Sequence, residues 1–272
     1  MPLSIRGRPE DPAVGRAVIH AALDGGVNLI DTADVYCLHD GDLGHNERLV
    51  ADALRTWHGG RDGIVVATKG GLTRPDGRWE NDGRPEHLRA ACDRSLLALG
   101  VDRIDLYQLH APDRAVPFAE SIGMLAELQQ MGKIRWVGLS NVSVAQIEEA
   151  GGQVEVVSVQ NRLNPFFREA THDGVVAHCA ARGIGFLAYS PVGGGRLNKK
   201  LPGHPVLREL ADRRGVSAHA LTLAWVLAQG DTVIVIPGAR SVVHATDSLG
   251  AADVRLSPED LAAIDDADFS RA

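Results

Sequence analysis

Asp31 and Tyr36 leave the run VNLIDTADVY (residues 27–36). Its apolar, β-prone start predicts a buried strand with Asp31 at the C-terminal end and Tyr36 in the loop beyond. Later strand ends carry residues of the same kind: Lys69 after IVVAT, His110 after IDLYQL, Ser140 and Asn141 at WVGLSN, Gln160 at VEVVSVQ, and Tyr189 in GFLAYS. Polar and ionisable types at nearly every strand exit are hard to explain as packing. A tyrosine beside a lysine has a definite use. Free tyrosine titrates near ~10, and a neighbouring ammonium favours the phenolate, so the phenol can exchange a proton near neutral pH. A carboxylate would hold the lysine charged and in place, and a histidine could hydrogen-bond a substrate oxygen.

The elements that must position these groups alternate. Asp11-Pro12 starts a helix whose face is Val14, Val18 and Ala21-Ala22 and which Gly25-Gly26 ends. Further helices are expected from Asn46, over 85–99, over 117–131, from Ser143 to Gly151, around 172–182, within 205–229, after Arg240, and from the Ser257-Pro258-Glu259-Asp260 capping box. Strands end near 31, 68, 108, 139, 159, 189 and 236. Helices separate them and no hairpin signal intervenes, which predicts a parallel sheet with right-handed crossovers. The reading is an α/β fold, a TIM (β/α)8-type barrel, as a single domain over 1–272. Such a barrel has eight strands, and seven are found. The eighth belongs before the first helix, where Leu3-Ser4-Ile5 supplies a stub, so the first strand is expected to be incomplete.

Composition narrows the function. The 272 residues are 44% hydrophobic and 23% charged, with a formal net charge of −7. That balance argues against nucleic acid or an anionic membrane as partner. The N-terminus lacks the apolar core of a signal peptide, and no apolar run approaches the ~20 residues of a membrane helix. Cys37, Cys92 and Cys179 show no metal or redox spacing and read as free thiols in a reducing cytoplasm. His39 and His45 lie with Asp40 and Asp42 in the loop 37–45 but lack a recognised ligand spacing, so no metal site is expected. Tyr107, inside its strand, reads as packing. Trp79, in the long loop after Lys69, is a candidate for the substrate pocket.

The segments IDTADVY, VATKGG, DLYQLHAPD, GKIRWVGLSNVS, VSVQN, FLAYSPVGGGRL and VIPGAR occur in the order and spacing of the aldo-keto reductases. The chain resembles that family over residues 11–268, with the closest likeness to the bacterial branch of pyridoxal and general aldehyde reductases. The resemblance implies a tetrad of Asp31, Tyr36, Lys69 and His110, with Tyr36 the general acid in a reduction of aldehydes or ketones by NADPH. Lys69, tied to Asp31, would depress the Tyr36 pKa, and His110 would orient the carbonyl of a small-molecule substrate. Ser140, Asn141 and Gln160 would grip the nicotinamide carboxamide, and Tyr189 would stack on its ring. The loop of Ser190, Pro191, Val192, Gly193, Gly195 and Leu197 would follow the pyrophosphate, its glycines allowing close approach. Ile236 and Gly238 lead to Arg240, a candidate for the 2′-phosphate of NADP+/NADPH.

Three departures from the family pattern carry expectations. The Glu-Asn pair common near the adenine reads Asp247-Ser248, and His244 stands where some relatives have arginine, so NADPH is preferred over NADH without being exclusive. There is no long C-terminal segment, so the pocket is expected to be open and shaped by loops 37–45 and 72–84. Met1-Pro2-Leu3-Ser4 reads as text that follows a first strand. A rival reading is a non-catalytic NADP(H)-binding regulatory subunit, or an impaired reductase. An isomerase or aldolase using Lys69 as a Schiff base is a third. The sequence leaves the oligomeric state open.

Overall fold

Parallel strands in chain order organise the protein, a computed structural model of which describes residues 2–270. Met1, Arg271 and Ala272 lie outside the described residues. The strands are β1 (Leu29–Asp31), β2 (Val65–Gly70), β3 (Leu72–Thr73), β4 (Glu80–Asn81), β5 (Ile104–Leu109), β6 (Ile134–Ser140), β7 (Val156–Arg162), β8 (Gly185–Tyr189) and β9 (Val233–Val235). Seven follow one another in the sheet as β1-β2-β5-β6-β7-β8-β9. The class is α/β, of the (β/α)8 type with its first strand incomplete. Residues 2–7 make turns rather than a strand.

The residues group into two compact units. The first comprises Met1–Val159 and Gly238–Val242. Its helix Pro12–Asp24 starts where the Asp11 side chain accepts from the Ala13 N–H, and it buries Val18, Ile19 and Leu23. The helix Pro85–Leu99 stops at Gly100, whose φ of 66° suits the residue without a Cβ. Ser143 caps Val144–Gly151 as expected, and with Gln146 it closes a capping box. The ladders β1–β2, β2–β5 and β5–β6 are parallel, pairing Asp31 with Ala67, Lys69 with Gln108 and Gln108 with Gly138. Alternate residues of a strand share a face, so this register puts Asp31, Lys69 and Gln108 on one side.

One expectation needs correcting here. The stretch after Lys69 is not a plain loop: β3 and β4 form a short antiparallel ribbon, Leu72 opposite Asn81 and Thr73 opposite Glu80. Pro75-Asp76-Gly77 turns it, with Gly77 in the left-handed region at φ 79°.

The second unit comprises Gln160–Pro237 and Val243–Ala272. Within it β8 and β9 pair in parallel, Leu187 opposite Ile234. The helix expected around 172–182 is two pieces, Glu169–His172 and Val175–Arg182, because Gly174 takes a left-handed φ of 78° between them. The helix Ala218–Leu227 is apolar almost all round and buries eight of its ten residues, as a helix enclosed on every side must. Ser257 and Asp260 close the capping box on Pro258–Asp265. Among the described residues no helix is long and apolar enough to cross a membrane.

Candidate active site

Lys69 is the hub of the first unit. It is fully buried, and its ammonium donates to Asp31 Oδ2 at 2.6 Å, to the Thr32 carbonyl at 2.8 Å and to Tyr36 Oη at 3.0 Å. Three hydrogens meet three acceptors, so the charge is fully spent inside the protein. Burial alone would lower the Lys69 pKa, but the Asp31 charge and the contacts with Tyr36 more than offset it and leave the value raised. The Tyr36 ring lies 4.8 Å from Nζ and is itself buried.

His110 follows β5, and its backbone N–H is held by the Gly70 carbonyl at 2.9 Å. Its ring stands edge-on to Tyr36, with centroids 5.8 Å apart and an interplanar angle of 80°. Burial first, and the Lys69 charge second, push its pKa well below the usual imidazole range. A neutral imidazole keeps one N–H to donate. Asn141 Nδ2 donates to the His110 carbonyl at 2.9 Å and to Ser140 Oγ at 3.1 Å. Asn141 has a φ of 59°, a conformation that asparagine tolerates better than most residues. Gly238 lies against Pro2, and Arg240 is exposed and donates one N–H to the Arg6 carbonyl at 3.1 Å.

Sequence reasoning missed two members of this cluster. Gln108 is fully buried and donates from Nε2 to Asp31 Oδ1 at 3.2 Å, on the oxygen that Lys69 does not take. The signal was a glutamine between Tyr107 and Leu109 near the end of β5, on the face of Ile104 and Leu106. Gly138 makes room for it: a Cβ there would meet the Gln108 Cγ at 2.8 Å and the Ser158 hydroxyl at 2.3 Å. The other is Arg74, whose guanidinium lies 3.9 Å from the centre of the Trp79 ring. That ring stands edge-to-face with both Tyr36 and His110, with centroids 6.4 Å away in each case.

The loops around Tyr36 are tied down. The Asp40 N–H bonds the Arg74 carbonyl at 3.1 Å. Asp42 pairs with Arg8, and His45 Nδ1 meets Ser4 Oγ at 2.8 Å. Cys37, beside Tyr36, is buried and directs its thiol at the Val35 and His39 carbonyls; burial pushes it up to about 11, where the reactive thiolate is scarce at neutral pH.

The second unit holds the remaining candidates. Gln160 is buried on β7. Tyr189 ends β8, with the Arg162 guanidinium 5.6 Å from its ring centre. Ser190 follows at φ 49°, sparsely populated for serine, and its carbonyl accepts from Asn164 Nδ2 at 2.9 Å and from the Gly193 N–H at 2.8 Å. Pro191 is buried, and Val192 packs on Ala220, Leu223 and Ala251. The expected loop is partly helical, since Gly194–Leu197 makes one turn after Gly193. The Gly195 backbone is exposed. Ile236 is half-buried and His244 exposed. Asp247 accepts from Ser217 Oγ at 2.7 Å, and Ser248 Oγ donates to the His244 carbonyl at 2.9 Å.

Comparison with known proteins gives the family of the chain. The profile of the aldo/keto reductase family matches residues 3–268. An uncharacterized oxidoreductase of Schizosaccharomyces pombe is 35% identical over 259 residues, which is 95% of this chain and 80% of that protein. Among solved structures, a glycerol dehydrogenase from Gluconobacter oxydans superposes with a TM-score of 0.81 at 32% identity, over 95% of this chain and 86% of that one. An aldo/keto reductase from Klebsiella pneumoniae, in complex with NADP and acetate, gives 0.77 at 29% identity, over 93% and 84%.

Proposed function

Because the chain belongs to the aldo/keto reductase family, we propose that it reduces aldehydes or ketones to alcohols with NADPH, Tyr36 supplying the proton. The observation that carries this reading is the Lys69 ammonium, which spends its three donors on Asp31, the Thr32 carbonyl and Tyr36 Oη.

The donor set suits the cofactor. Ser140 and Asn141 offer the hydroxyl and amide groups that a carboxamide needs, and the exposed Arg240 guanidinium suits a phosphate. The Klebsiella relative was solved with NADP. NADPH, when bound, supplies a hydride to the carbonyl carbon. Tyr36 Oη delivers its proton to the carbonyl oxygen, and the resulting charge on Oη faces the Lys69 ammonium at 3.0 Å. Asp31 keeps that ammonium charged, and the neutral His110 N–H hydrogen-bonds the same substrate oxygen in this reading. Carbonyl, hydride and proton together balance as the alcohol. The buried thiols, none of them in a disulfide, suit a reducing cytoplasm.

The test is NADPH oxidation against a panel of aldehydes and ketones, with pyridoxal included for the bacterial branch noted above. Tyr36→Phe should lower turnover by at least about 100-fold while NADPH binding persists. Unchanged turnover would refute the assignment, and absence of turnover by the native protein on every substrate would favour a regulatory role.

A further inference from the structure

Arg74 is a buried cation without a counter-charge. The residue is 6% exposed, and among the described residues no carboxylate lies within ion-pairing distance of it. Its Nη2 donates to the Cys37 carbonyl at 3.1 Å and to the Leu38 carbonyl at 3.4 Å. Nε and Nη1 are buried and meet no protein acceptor. Burying a charge costs much unless it is paired and hydrogen-bonded, and proteins seldom leave a guanidinium in this state.

What covers the guanidinium is the Trp79 ring at 3.9 Å. A cation over an indole face is attracted by the ring quadrupole, but more weakly than by a carboxylate. Trp79 is 47% exposed and sits in the turn between β3 and β4, which share only two residue pairs. Its edge contacts with Tyr36 and His110 place it beside the proposed proton donor. Arg74 is therefore one ring removed from the reacting carbonyl, with donors unspent and a half-exposed side chain over it.

Resting on the reductase reading, we propose that Arg74 is the counter-charge for an anionic group on the substrate, so that the favoured substrates are aldehydes or ketones bearing a carboxylate or a phosphate. Trp79 stacks on the guanidinium in the free protein and turns aside as the anion reaches Nη1 and Nε. The substrate charge then meets hydrogen bonds that are already oriented, because Nη2 is anchored on two backbone carbonyls.

The experiment measures kcat/KM with NADPH for two pairs that differ only in charge: 4-carboxybenzaldehyde against benzaldehyde, and glyceraldehyde 3-phosphate against glyceraldehyde. A charge-assisted hydrogen bond is worth about a 10–100-fold preference. The native protein should prefer the charged member of at least one pair by that factor, and the responding pair identifies the anion. Arg74→Gln should erase the preference, and Arg74→Lys should keep part of it. No preference in the native protein overturns the proposal, whether or not the variants fold. An equal loss on both members of a pair in Arg74→Gln also overturns it and leaves Arg74 as a tie between two loops. If the native protein turns over the neutral aldehydes alone, the reductase reading stands and this inference fails. If it turns over nothing, that reading fails, and calorimetric binding of benzoate against benzamide decides the anion site separately: tighter binding of benzoate, lost in Arg74→Gln, supports it, and equal binding refutes it.

Discussion

Gln108 Nε2 donates to the Asp31 oxygen that Lys69 does not use, at 3.2 Å, across 77 residues of sequence. Asp31 is thereby held at both oxygens, one by a buried cation and one by a buried amide. A carboxylate gripped at one oxygen can rotate, and rotation would carry Lys69 away from Tyr36. Gln108→Leu should therefore lower kcat by about 10-fold, the worth of a hydrogen bond to a charged group. The KM for NADPH should stay in place, and the alkaline limb of the kcat–pH profile should move. Steady-state kinetics over pH 6–9 checks this; a change in KM alone would assign Gln108 to packing.

The Asp31–Lys69 pair is almost fully out of water, with side-chain exposures of 8% and 0%. Removing one partner leaves the other buried and uncompensated. Lys69→Met should cost about 3–5 kcal/mol of folding stability, and adding Asp31→Leu should recover part of that loss. Urea unfolding of both variants reads the difference, and a double variant less stable than the single one would contradict it.

Two buried groups pull the pH dependence of stability in opposite directions. Burial first, and the nearby Glu47 charge second, raise the Asp34 carboxyl well above its usual range. The native state then holds a proton that the unfolded chain releases near ~4, so this stabilisation is lost as pH rises toward the native value. His110 is depressed instead. The unfolded chain takes up a proton below ~6.5 that native His110 refuses, so stability falls as the solution is acidified. The Tm of Asp34→Asn relative to the native protein should rise between pH 5 and 8. The relative Tm of His110→Gln should rise as pH drops from 7 to 5. Flat differences would mean that neither group titrates differently on folding.

Arg240 is exposed and anchored by one N–H on the Arg6 carbonyl. If it meets a 2′-phosphate, Arg240→Met should raise the KM for NADPH by about 10–100-fold, as expected for a charge-assisted contact, and leave that for NADH nearly unchanged. Parallel titrations of the two cofactors distinguish this from a general loss of the site.

Much of this protein is determined by its sequence alone. Local chemistry announces the helix starts: the side chains of Asp11, Ser143 and Ser257 bond N–H groups two or three residues ahead, wherever the helix goes. Apolar runs ending in Asp31, Lys69 and Ser140 mark parallel strands and the face where polar groups collect, because burial and period are properties of a short window. Which polar groups touch was decided by tertiary structure. Register placed Lys69 beside Gln108 and Gln108 beside Gly138, and no window of sequence contains a register. The left-handed backbones of Asn141 and Ser190, the break at Gly174 and the short ribbon after Lys69 likewise depend on neighbours distant in the chain. The same holds for Arg74, an unremarkable arginine in a loop until folding buries it under Trp79 without a carboxylate. Desolvation turns an ordinary surface charge into an unmet one, and desolvation exists only once the chain has folded.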